Sequence, residues 1–144
     1  MKPTLALRIA SVLTLIHAAL HTVGGVFGKP DPGPAQTAVS AMQANHFLVM
    51  GVTRSYADFY LGLGLCVSIF LTIEAIVFWL LGNLAKSNPQ RLRPILAVFV
   101  VAYLALAVNS WLYFFFAPVI TEILIALFLA VAIFTAKTPS VPSL

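Results

Sequence analysis

Charge is scarce in this chain. Only 8% of its 144 residues are Asp, Glu, Lys or Arg, and only four of those are acidic. A soluble domain carries roughly a quarter charged residues, so a water-exposed globular surface is excluded. Cysteine is scarcer still: Cys66 is the only one, which rules out an internal disulfide and leaves the redox compartment unmarked. Cys66 sits within an apolar run, where small core packing is its expected role. Long polar stretches are also missing, which leaves no room for a separate soluble domain. What fills the chain is hydrophobic residues, 61% of the total, with a mean hydropathy of +1.02. That composition belongs to an integral membrane protein.

A transmembrane helix needs about 20 mostly apolar residues to cross roughly 30 Å of hydrocarbon. Four runs meet that length, at residues 5–26, 56–81, 95–116 and 119–136. The expected fold is therefore all-α: one transmembrane domain over residues 1–144, built as a four-helix bundle. The first run has basic residues ahead of it and small residues after it, as a signal peptide does, but His17, His21 and Thr22 interrupt the apolar region and argue for a span.

Basic residues near span ends accumulate on the cytoplasmic side. Lys2, Arg8, Lys86, Arg91, Arg93 and Lys137 all fall on one side of a four-span arrangement. On the other side, Lys29 and Arg54 are offset by Asp31 and Asp58. Both termini are thus expected in the cytoplasm, with the protein in a bacterial plasma membrane. The net charge of +4 reflects topology and contact with anionic membrane lipids, and calls for no nucleic-acid partner.

The connections are unequal. Ala117 and Pro118 are expected to break the helix between spans three and four, making those spans antiparallel neighbours. Residues 87–90 read as a turn, with Pro94 suited to a helix start. Residues 27–54 form the long external connection. Its start, Gly-Lys-Pro-Asp-Pro-Gly-Pro at 28–34, is a rigid non-helical excursion, and residues 35–50 then read as a short amphipathic external helix with Val39, Met42, His46, Val49 and Met50 roughly on one stripe. Such a helix serves as an interfacial anchor or as a lid.

Ionisable residues inside a membrane mark candidate functional sites. With a rise of about 1.5 Å per residue, His17 lies near the middle of span one and His21 about 6 Å nearer the outer face. Asn109, Glu122, Asp58 and Arg54 also fall in the outer half, where Arg54 and Asp58 are spaced to pair on one helix face. Glu74 alone lies in the inner half. In helical phase, Thr14, His17, His21, Gly24 and Gly28 form a polar and small-residue stripe. Ala102, Ala105, Asn109 and Phe116 share a face of span three, which would bury the Asn109 amide against a neighbour. Asp58, Gly62, Leu65 and Ile69 share a face of span two, with Glu74 turned nearly half a revolution away.

Several chemistries fit these residues. His17 and His21 could offer two nitrogens to a metal ion, with His46 or Glu122 completing the shell, although the glutamate of a zincin-type helix is lacking. Haem or quinone chemistry fits less well, since two histidines one turn apart on one helix cannot take opposite axial positions. A third reading makes the outer cluster the acid/base or binding groups of a pocket for a small lipophilic molecule, lined by Trp111, Tyr113, Phe114, Phe115 and Phe116. Those aromatics equally suit an interfacial belt. The plainest reading treats the polar residues as hydrogen-bonded contacts between helices, in a structural or accessory subunit that joins a second copy or a partner membrane chain. Transport is disfavoured by the lack of visible inverted repeats.

The segments His17-Ala-Ala-Leu-His21-Thr-Val-Gly24, Met42-Gln-Ala-Asn-His46-Phe and Gly51-Val-Thr-Arg54-Ser-Tyr-Ala-Asp58-Phe-Tyr-Leu-Gly62 resemble a family of small bacterial four-span membrane proteins of unassigned function. The architecture is also loosely similar to DoxX-like four-span proteins. The first resemblance groups His17, His21, His46, Arg54 and Asp58 as belonging together, and implies no activity. The binding candidates are accordingly His17, His21, His46, Arg54, Asp58, Asn109 and Glu122.

The charge distribution makes one direct prediction. Green fluorescent protein fused to the C-terminus should fluoresce, and alkaline phosphatase inserted within residues 27–54 should be active. The reverse pattern overturns the orientation.

Overall fold

The computed structural model describes residues 1–136; Lys137, expected on the cytoplasmic side, lies outside the described residues. Its order is α1 (Pro3–Leu20), a π-helical segment (His21–Val26), α2 (Pro34–Ala44), β1 (His46–Val49), β2 (Val52–Ser55), α3 (Tyr56–Leu84), a 3-10 turn (Pro89–Leu92), α4 (Arg93–Tyr113) and α5 (Phe116–Thr135). The fold is all-α apart from the small hairpin. Four helical stretches, Pro3–Val26, Tyr56–Leu84, Pro89–Tyr113 and Phe116–Thr135, are long and apolar enough to cross a membrane, as the four runs predict.

The chain divides into two compact units, Met1–His17 with Leu71–Leu144, and Ala18–Phe70. In the first, the long helices pack as a bundle around one buried cluster. Ala6, Leu7 and Ala10 come from α1, Phe78 and Leu81 from α3, Leu96 and Tyr103 from α4, and Ile125, Ala126, Leu129 and Ala132 from α5. Small residues on α1 and α5 permit close backbone approach, while Phe78 fills the centre and meets Phe99 edge-on at 4.9 Å. The α4–α5 contact is extensive, as the short connection requires.

That connection differs in detail from the expectation. The chain turns at Phe114 and Phe115, the second of them extended, and α5 has already begun at Phe116. Pro118 therefore lies in the first turn of α5, where the backbone N–H groups have no intrahelical acceptor and a missing one costs nothing. Pro94 occupies the corresponding place at the start of α4, as expected.

The unit over Ala18–Phe70 departs further. Helix α2 ends at Ala44 instead of continuing to residue 50. Asn45 is extended at its C-terminus, and β1 and β2 then pair as an antiparallel hairpin with His46 opposite Ser55 and Val49 opposite Val52. Met50 and Gly51 make the two-residue turn with φ of 49° and 81°, the double positive φ of a type I′ turn. The predicted stripe therefore survives only at Val39 and Met42, which are partly buried on α2. Phe47 on β1 packs against Tyr56 and Phe59 of α3, with centroids 4.9 and 5.3 Å away, tying the hairpin to the helix that follows it.

Span one is not one uniform α-helix. From His21 to Val26 the backbone is π-helical, and the Phe27 N–H donates to Thr22 O, five residues back, at 3.0 Å. The extra residue per turn breaks the α-helical phase on which the Thr14-to-Gly28 stripe rests. Gly25, not Gly24, now lies against the His21 ring. Cys66 is exposed on α3, against its expected core packing, because Gly64 and Ser68 take the buried side of that helix segment.

Gly28 carries a close backbone approach: a Cβ there would collide with Gly24 O, whereas a Cβ on Gly24 would meet nothing within 4 Å. Gly28→Ala should destabilise the protein by about 1–3 kcal/mol, and Gly24→Ala by no more than about 0.5 kcal/mol. Thermal unfolding of the two variants in detergent reads the difference, and equal effects would refute the close approach.

Candidate functional site

The candidate residues fall in both units: His17, Asn109 and Glu122 in the first, and His21, His46, Arg54 and Asp58 in the second.

In the second unit, His21 opens the π segment, half-buried, and its Nε2–H donates to Gly64 O at 3.1 Å. A carbonyl only accepts, so this contact requires a proton on Nε2, and it puts Nδ1 beside Gly25. The same carbonyl receives the Ser68 hydroxyl at 3.2 Å, and Ser68 Oγ lies 2.8 Å from Thr22 Oγ1. Gly64 lets this happen. A Cβ on it would stand 3.0 Å from Val26 Cγ2, so the Val26 side chain packs directly on the α3 backbone.

His46, Arg54 and Asp58 are exposed and serve local structure. The His46 Nδ1–H donates to Ala44 O at 3.1 Å, and an Arg54 guanidinium N–H donates to Thr53 O at 3.1 Å. Arg54 stands on β2, so it shares no helix face with Asp58. The Asp58 carboxylate instead accepts the Ser55 backbone N–H at 2.8 Å, while the Asp58 N–H donates to Ser55 Oγ at 3.1 Å. This reciprocal pair is a capping box that starts α3. It accounts for much of the Arg-Ser-x-x-Asp-Phe-Tyr stretch, since Tyr56 and Phe59 are the residues packed on Phe47. The Ser-x-x-Asp spacing is itself a legible helix-start signature that a search for ligand residues passes over.

In the first unit, His17 is half-buried on α1, and Asn109 is exposed on α4. The expected Ala102/Ala105/Asn109/Phe116 face is not the buried one. Leu96, Tyr103, Ala107 and Ser110 face inward instead. The phase is set by side chains that find partners on other helices. Tyr103, 0% exposed, donates its hydroxyl to Glu74 Oε2 at 2.6 Å and lies 3.4 Å from Thr14 Oγ1, which links α4 to α3 and α1. Ser110 donates to Glu122 Oε1 at 3.0 Å, which links α4 to α5. Ser11 adds a bond from α1 to Ala75 O on α3 at 2.6 Å. Tyr103 and Ser110 are the residues that reading for charge overlooks. A tyrosine in mid-span, away from the interfacial belt, is the available signal.

Glu122 differs from the others. It is 4% exposed, and among the described residues its second oxygen, Oε2, has no hydrogen-bond partner. At the same level of α4 and α5 runs an open, almost wholly apolar groove of about 350 Å³, lined by Leu104, Ala107, Val108, Trp111, Val119 and Ile123. Ala107 and Val119 precede Ser110 and Glu122 by three residues on their respective helices, one turn in each case.

Among the described residues no group of three or more His, Cys, Asp or Glu side chains is placed to hold a metal ion. The metal and haem readings therefore gain no ligand set. The chain matches no family model, no curated protein and no solved structure, so any functional reading stands on these residues.

The capping box is directly testable. Ser55→Ala and Asp58→Ala should each cost about 1 kcal/mol, and the double variant should cost clearly less than their sum, because each residue's bond depends on the other. Additive losses in a double-mutant cycle would show that the two residues act separately.

Proposed function

We propose that this is a membrane-embedded binding protein for a small lipophilic molecule that carries a hydrogen-bond donor. Glu122 is the anchor, and the α4–α5 groove receives the hydrocarbon part. The observation that carries this reading is the unpartnered Oε2 of a carboxyl group that is 4% exposed. A buried polar atom without a partner is costly and calls for a reason, and an acidic residue within a membrane span marks function by default. Ser110 fixes one oxygen and so directs the other. The setting is the bacterial plasma membrane with both termini cytoplasmic, where four apolar helices contact lipid and a hydrophobic ligand arrives through the bilayer.

The second reading, an accessory subunit whose polar residues only join helices, is favoured by the other polar contacts. Tyr103 with Glu74, Ser11 with Ala75 O, and His21 with Gly64 O are each paired within the protein. Glu122 separates the two readings, because helix packing alone gives no role to a second, unbonded oxygen.

Mass spectrometry of organic extracts from protein purified in mild detergent provides the test. Wild type should carry a co-purifying lipophilic donor, and Glu122→Leu should lose it by about tenfold, as loss of one buried hydrogen-bond partner implies. Glu122→Leu should remain folded, since it removes an unmet polar atom in favour of an apolar side chain. A wild type that carries no such molecule, or a folded Glu122→Leu that carries as much, leaves the accessory-subunit reading.

A further inference from the structure

A basic side chain has its own unusual site, independent of Glu122. Arg8 lies in the second turn of α1, half-buried, in the unit formed by Met1–His17 and Leu71–Leu144. Its guanidinium stacks on the Trp79 ring of α3, with the central carbon 3.2 Å from the ring centroid. Nη2 donates to Asn83 Oδ1 at 2.7 Å. Gly82 makes room for the side chain, since a Cβ there would already stand 3.4 Å from Nε. The third nitrogen, Nη1, is buried and has no acceptor among the described residues.

Among the described residues, no carboxylate is paired with this cation. Glu74, on the same helix as Asn83, is nine residues back, about 13 Å along the axis, and is bonded to Tyr103. Glu122 is bonded to Ser110. The surroundings instead add positive charge. The Lys86 backbone N–H bonds to Asn83 O, placing Lys86 one turn beyond Asn83. Arg91 and Arg93 flank Leu92, which shares its buried cluster with Leu7 and Ala85, the chain neighbours of Arg8 and Lys86. Lys86, Arg91 and Arg93 are all exposed. A guanidinium near helix ends, stacked on tryptophan and close in sequence to exposed basic residues, has the composition that membrane–water interfaces favour.

We infer that this end of the unit binds the phosphate of an anionic phospholipid, with Arg8 as the oriented donor and Lys86, Arg91 and Arg93 as the surrounding positive field. Fixed by stacking and by one side-chain amide, the guanidinium keeps Nη1 as its uncommitted donor, suited to one charge-assisted bond to a phosphate oxygen. The membrane supplies the acceptor that the protein lacks. Basic sites between spans are a recognised means of holding anionic headgroups.

The test places the full chain in nanodiscs made from equal parts of phosphatidylcholine and phosphatidylglycerol, releases it, and counts retained lipids by native mass spectrometry. Wild type should favour phosphatidylglycerol by about fivefold, the equivalent of about 1 kcal/mol. Arg8→Gln should bring the ratio to about one. Arg8→Lys keeps the charge but loses fork and stacking, and Trp79→Leu keeps every charge but loses the stack. Both should fall in between, and they carry the test should Arg8→Gln fail to insert. No preference in wild type, or an unchanged preference in Arg8→Lys and Trp79→Leu, overturns the inference. Loss of the preference on adding inorganic phosphate also overturns it, because the site would then take free phosphate and not a lipid.

Discussion

A phenol–carboxyl hydrogen bond, Tyr103 to Glu74 at 2.6 Å, organises the interior on which the rest of the bundle unit depends. Hydrocarbon offers no water to a polar side chain, so each hydroxyl and carboxyl inside a span must find its partner on a neighbouring helix or on its own backbone. That demand overrides the preference for small residues at interfaces. It turns Tyr103, Ala107 and Ser110 inward on α4 and leaves Asn109 outside. Once Tyr103 faces inward, Phe78 and Phe99 pack around it and the α4–α5 pair presents Ser110 to Glu122.

The same demand separates polar residues with different uses. Most are consumed by architecture. Thr14 and Thr22 bond their own helix, Ser68 bonds Gly64 O, and Ser55 with Asp58 starts α3. Among the described residues, Glu122 keeps one buried oxygen unbonded and Arg8 one buried nitrogen. One is an acidic residue and the other a basic one, and each is held in place by a neighbouring side chain that leaves part of the group uncommitted. A site able to receive a molecule from the bilayer needs both properties.

The spans are legible in composition alone, because about 20 apolar residues have few other uses. The α4–α5 pairing is legible because so few residues connect two runs. The site is much less so. Helical phase is readable only while the helix stays α, and the π segment at His21–Val26 comes with a three-dimensional match of His21 and Val26 to Gly64 that no periodicity encodes. The hairpin hides behind Met50–Gly51, which lacks the Asn-Gly signature of its turn type, and behind apolar residues that suit a helix as well as a strand. Glu122 is found from its charge and depth. Ser110, which directs it, looks like any other small residue until the fold places the two together.

The exposed position of Cys66 has a practical consequence. It is the chain's single thiol, standing on the outside of α3 only two residues from the carbonyl that accepts His21. A thiol-reactive spin label or fluorophore therefore attaches to the wild-type protein at one known place, with no engineered cysteine and no competing site. The reporter sits on the face of α3 turned away from Gly64 and Ser68, so it leaves the contact with the π segment undisturbed.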